Sequence, residues 1–169
     1  AKEILGHHVC VVLGGRHASE TIYFDMQRRI VHHPGSPLRL MAEGRIERVF
    51  DLVVAGDGEH VISKIGEIVN HIDQKHGCVA NIHTELEGLN KQPGRWIAGW
   101  VDSDRIFTIE GHVGPLDYNQ LPPPCRMFGV QTSFGDTFGH HRLTAHVFSD
   151  QGQGCVFDCK FCSERRSVT

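Results

Sequence analysis

A chain of 169 residues, 40% of them hydrophobic and with a formal net charge of −3, is long enough to bury one ordinary core, or one and a piece. No basic run points to nucleic acid, since consecutive basic residues go no further than pairs such as Arg165-Arg166. No apolar stretch reaches membrane-spanning length, and the first residues lack the charged-then-apolar pattern of a secretory leader.

Along the chain, His8-Val9-Cys10-Val11-Val12-Leu13 reads as a buried, parallel strand closed by Gly14-Gly15. Ser19 then predicts a helix cap, with Ile22, Met26 and Ile30 at helical spacing through about Val31. Pro34, Gly35 and Pro37 interrupt it, and a second helix is expected from Leu38 to Arg45. Phe50 to Ala55 gives another buried strand, followed by Gly56-Asp57-Gly58-Glu59. Next comes an amphipathic helix whose stripe is Val61, Ile65, Ile68, Val69 and Ile72. Strand, glycine turn and helix, repeated, predict a doubly wound α/β sheet over residues 1–76.

From Gly77 the character changes, and residues 77–142 read as a connecting hairpin and linker. Residues 77–95 are expected to be a polar loop or short hairpin. Trp96 to Val101 and Ile106 to Ile109 predict two antiparallel strands around Asp102-Ser103-Asp104-Arg105. Leu116 to Pro124 has the stiffness of an interdomain linker, and residues 131–142 read as a loop. Leu143 to Phe148 is a candidate strand leading into residues 149–169.

That last segment carries the strongest motif, Cys155-x3-Cys159-x2-Cys162. Three thiolates on one short loop can converge on a metal, and soft sulfur suits iron. They are one short of the usual four cysteines of an iron–sulfur cluster, so one iron would stay open to a non-protein ligand. Zinc is the alternative, with His140, His141 or His146 offering a fourth ligand. Of the six cysteines, Cys10 lies in an apolar run while Cys78 and Cys125 are isolated, which fits a reduced, cytoplasmic setting better than a disulfide framework. The thirteen histidines are scattered, as surface or hydrogen-bonded residues are.

The cysteine spacing, with the aromatic Phe161 before the last cysteine, resembles the cluster loop of the radical S-adenosylmethionine (radical SAM) enzymes. The resemblance implies a [4Fe–4S] cluster held by Cys155, Cys159 and Cys162, with S-adenosylmethionine on the open iron as the source of a 5′-deoxyadenosyl radical. Phe161 would pack beside the cluster. The earlier part resembles the cobalamin-binding domain attached to many of these enzymes. Val11 to Ala18 matches its strand and double-glycine turn, and Phe50 to Glu59 its next strand and Gly-Glu-Gly-Glu turn, with Asp57 in place of the first glutamate. Leu116 to Pro122 resembles its Leu-Asp-x-Leu-Pro connection, with one extra residue. The matches occur in the family's order and imply cobalamin as a further cofactor, shaped by Gly14, Gly15, Gly56, Asp57, Gly58 and Glu59.

Read from the residues alone, Gly14-Gly15 is equally a tight strand-to-helix turn, and Gly56 to Glu59 a helix start with acids matched to the dipole. The Asp-x-His-x-x-Gly loop that supplies a lower cobalt ligand has no counterpart here, though some radical SAM relatives also lack it. The family's opening strands and the barrel expected after Cys162 are not in the sequence, so the resemblance implies a fragment or truncated member. A half-sheet of this kind would expose an edge, and pairing with another chain or with itself is expected. The implied activity is radical modification of an unactivated carbon, with methyl transfer the commonest outcome in the family and the substrate unspecified. The competing function is a non-catalytic zinc- or cofactor-binding module acting with a partner chain. A dinucleotide-binding domain is the weakest reading, because Gly14-Gly15 lacks the G-x-G-x-x-G spacing.

Overall fold

The computed structural model describes residues 6–75, 78–86 and 88–113. The proposed linker, the strand candidate at 143–148 and the cysteine loop lie outside the described residues.

Strand β1 (Val12–Leu13) is followed by helix α1 (Arg16–Thr21), then β2 (Ile22–Phe24) and β3 (Ile30–His32). Helix α2 (Pro37–Ala42), strand β4 (Leu52–Gly56) and the long helix α3 (Glu59–Gln74) come next. Two 3-10 segments, Val79–Glu85 and Leu89–Lys91, lead into β5 (Gly94–Asp102) and β6 (Arg105–Val113).

The sheet has the order β1-β4-β5-β6. β1 and β4 are parallel, with Val12 opposite Leu52, while β4–β5 and β5–β6 are antiparallel. The architecture is therefore mixed α/β: the two strands expected within residues 1–76 pair in parallel, and the antiparallel hairpin expected in the connector joins their sheet instead of standing apart from it. Parallel pairing needs a crossover, and the chain between β1 and β4 supplies it. β5 and β6 are joined by two residues, Ser103 (φ 47°) and Asp104 (φ 64°), whose left-handed backbones suit the twist of a tight hairpin.

Alternation along β4 divides the core between the two sheet faces. Leu52 and Val54 pack with Val61, Ile65, Ile68 and Ile72 of α3, together with Trp96 and Ala98 of β5. Val53 and Ala55 pack with Ala18 of α1, Leu38 and Met41 of α2, Ile22, and Ile97 of β5. The expected stripe on α3 is thus the buried one, with Val69 half-buried at its margin. Helices cover the sheet on both sides.

Further expectations need correction, beginning with the buried strand expected over His8 to Leu13, of which only the half-buried Val12–Leu13 is strand while Gly6–His8 is a 3-10 turn. The helix expected from Ser19 to Val31 ends at Thr21, and the chain turns into the β2–β3 hairpin. Ile22-Tyr23-Phe24 and Ile30-Val31 are β-branched or aromatic residues suited to strands. Asp25 closes the turn between them: Oδ1 accepts from the N–H groups of Gln27 (2.9 Å) and Arg29 (2.8 Å). Met26, expected on an apolar stripe, is 99% exposed at the tip. The second helix is shorter than expected. It starts at Pro37, where the missing N–H costs nothing, and stops at Ala42. Residues 78–91 are not a polar loop. Val79 and Ile82, and likewise Leu86 and Leu89, are spaced by three and all buried beneath α3's side of the core. Three residues per turn is the 3-10 period, which places Val79 and Ile82 on one side of the first segment.

Candidate functional site

Because β1 and β4 are parallel neighbours, their carboxyl ends open on the same edge of the sheet. From β1 the chain departs to α1 on one face; from β4 it departs to α3 on the other. Adjacent parallel strands that diverge to opposite faces define a topological switch point, where open α/β sheets leave a crevice for ligands. Both glycine turns singled out in the sequence lie at this edge.

The first turn is Gly14-Gly15, both exposed. Gly15 has φ 78°, a region that favours glycine, and a Cβ built there would meet nothing within 4 Å. The space over this backbone is therefore open. The second turn begins at Gly56 (φ 89°), the last residue of β4, and ends at Gly58, which caps α3 without a side-chain acceptor. Glu59 occupies the first turn of α3, where a negative charge complements the helix dipole.

Ser19 joins the two turns. Its hydroxyl donates to Gly15 O (3.2 Å) and accepts from the Gly56 N–H (3.0 Å), the second bond spanning 37 residues of sequence. The expectation of Ser19 as a helix cap is replaced by this role, since α1 already begins at Arg16. No local pattern could have signalled the bridge to Gly56.

Asp57 is 6% exposed and clasps the start of β5. Oδ2 accepts from the Arg95 N–H (2.9 Å), and the Asp57 N–H donates to Arg95 O (2.9 Å). Gly94 allows this close approach, because a Cβ there would lie 2.8 Å from Asp57 Cβ. The Asp57 carboxylate thus serves the sheet. Glu59 differs: its Oε2 is buried with no hydrogen-bond partner. An acceptor left in that condition is costly unless a donor reaches it.

Among the described residues, no group of three or more His, Cys, Asp or Glu side chains is placed to hold a metal ion. Cys10 and Cys78 are thiols outside any disulfide, and both are half-buried. Cys155, Cys159, Cys162 and Phe161 lie outside the described residues. No helix among the described residues is long and apolar enough to cross a membrane.

Compared with known proteins, the chain matches no family model, no curated protein and no solved structure.

Proposed function

We propose that this chain is part of a cobalamin-dependent radical SAM enzyme that modifies an unactivated carbon, with methyl transfer as the reaction class. The observation that carries the reading is the Cys155-x3-Cys159-x2-Cys162 spacing with Phe161 inside it. Three soft donors for iron on a loop of eight residues form a coherent ligand set, one short of a closed cluster. A [4Fe–4S] cluster with S-adenosylmethionine would supply radical initiation, and cobalamin a methyl carrier.

The chain's own residues would act as follows. Cys155, Cys159 and Cys162 hold the cluster as thiolates, and Phe161 excludes water beside it. The switch-point edge supports the cobalamin side of the proposal. Gly14 and Gly15 leave open backbone there, and Gly58 starts α3. Gly56 and Asp57 contribute indirectly, the first through its bond to Ser19 and the second by holding β5. In this reading residues 1–76 belong to a partial doubly wound, cobalamin-binding-type domain whose sheet is extended by β5 and β6, the residues after Val113 connect it, and residues 143–169 open a radical SAM barrel in a cytoplasmic protein.

Anaerobic reconstitution with iron and sulfide tests the assignment. A brown chain with thiolate-to-iron charge-transfer absorption, lost in Cys159→Ala, is the expected result. A colourless chain that instead takes up stoichiometric zinc would overturn it.

A further inference from the structure

On the α3 side of the sheet lies a cleft of about 500 Å³, lined by His83, Thr84, Leu86, Asn90, Lys91 and Ile109. It shares no residue with the glycine turns. Its volume falls within the range of small-molecule pockets, roughly 300–1,000 Å³. Leu86 and Ile109 form its apolar wall, Leu86 almost wholly buried and Ile109 half-buried in the same core. Among the described residues the polar lining is rich in donors and contains no carboxylate. Lys91 brings a positive charge and makes no ion pair among the described residues, and the Asn90 amide makes no hydrogen bond among them.

His83 is held in place by a row of rings. It stacks on Trp100 (centroids 6.0 Å apart, planes 19° from parallel), and Trp100 stacks on Phe107 (5.8 Å, 16°). The Arg105 guanidinium caps the far end, 5.8 Å from the Phe107 centroid. The pairing of Trp100 with Phe107 across β5 and β6 fixes this row to the rigid hairpin. A planar side chain supported from behind keeps its orientation without a ligand, which reduces the entropy lost on binding.

We propose that this cleft binds a small organic anion carrying a planar ring, the chemistry of a mononucleotide. The ring lies on Leu86 and Ile109 beside His83, and the anionic group is taken by Lys91 with Asn90 donating to it. The Lys91 charge and the Asn90 donor select the anion. The apolar floor and the fixed imidazole select the ring over a bare ion.

Calorimetric titration of the full chain with adenosine monophosphate, adenosine and inorganic phosphate tests this. The monophosphate should bind with a dissociation constant on the order of 1 mM or tighter, and more tightly than either part alone. Lys91→Met should weaken it about tenfold, the loss expected for one charge-assisted hydrogen bond. His83→Ala should weaken the monophosphate and adenosine but leave phosphate unchanged. Thermal melting of both variants is expected to match the parent, since each residue lies at the surface or half-buried. No heat with any probe would overturn the proposal. So would phosphate binding as tightly as the monophosphate, or monophosphate binding that neither substitution changes.

Discussion

Replacing Asp57 by alanine separates a structural carboxylate from a ligand-binding one. The substitution removes the acceptor of the Arg95 N–H at 2.9 Å, while the reciprocal bond from the Asp57 N–H to Arg95 O stays. The alanine keeps the Cβ that packs on Gly94, so no cavity term of consequence is added. What is lost is at least one hydrogen bond to a charged acceptor, with one partly buried N–H deprived of that partner, together about 2 kcal/mol or more. With a urea m-value of about 2 kcal/mol/M, the unfolding midpoint should fall by about 1 M. Asp57→Asn retains an acceptor oxygen and should lose about half as much or less. Urea unfolding followed by far-ultraviolet circular dichroism, without any cofactor, reads the difference. An Asp57→Ala midpoint within ~0.2 M of the parent would refute the clasp and return Asp57 to the set of free ligand contacts.

The β5–β6 hairpin gives a second test. Gly111 pairs with Trp96, and a Cβ on Gly111 would overlap the indole at Cε2 and Nε1. Trp96 is fully buried and donates from Nε1 to Gln92 O, so it has little room to yield. Gly111→Ala should destabilise by about 1–3 kcal/mol and shift tryptophan emission to the red as Trp96 is displaced. Gly66, exposed in the middle of α3, has open space at its Cβ position. Gly66→Ala should therefore stabilise by about 0.5–1 kcal/mol, measured in the same urea titration. A third test uses pH. Burial, followed by the charge of Arg39, holds His32 below its ordinary value of 6.5. Between that value and the lower folded one, the unfolded chain binds more protons, so stability falls as pH drops through this window. Melting temperature should decline on acidification below about 6.5, and His32→Asn should flatten that decline. An unchanged slope in the variant would assign the acid response to other groups.

How far local pattern could be trusted varied from one element to the next. Helix α3 was legible because Val61, Ile65, Ile68 and Ile72 repeat at the helical period and share one face. The β5–β6 hairpin was legible because two apolar runs flank a short polar turn at Ser103 and Asp104. The spacing of Ile22, Met26 and Ile30 misled, since it satisfies a helix while the residues between them favour strands. There the Asp25 turn, which captures the Gln27 and Arg29 amides, outweighed the periodicity. The apolar spacing of three, four and three residues through Val79, Ile82, Leu86 and Leu89 was present in the sequence but is weak evidence until a core exists to receive it.

By itself, then, the amino-acid order determined the apolar stripes, the positions of the glycine turns and the cysteine spacing that carries the functional proposal. Those are properties of neighbours, set by side-chain volume and backbone preference within a few residues. Tertiary structure decided that Asp57 holds Arg95, that Ser19 ties Gly15 to Gly56, and that His83 and Lys91 line one cleft with Ile109. These groups come together only when β4 pairs with β5, the helices close on both faces, and polar atoms removed from water take the partners that packing places within reach.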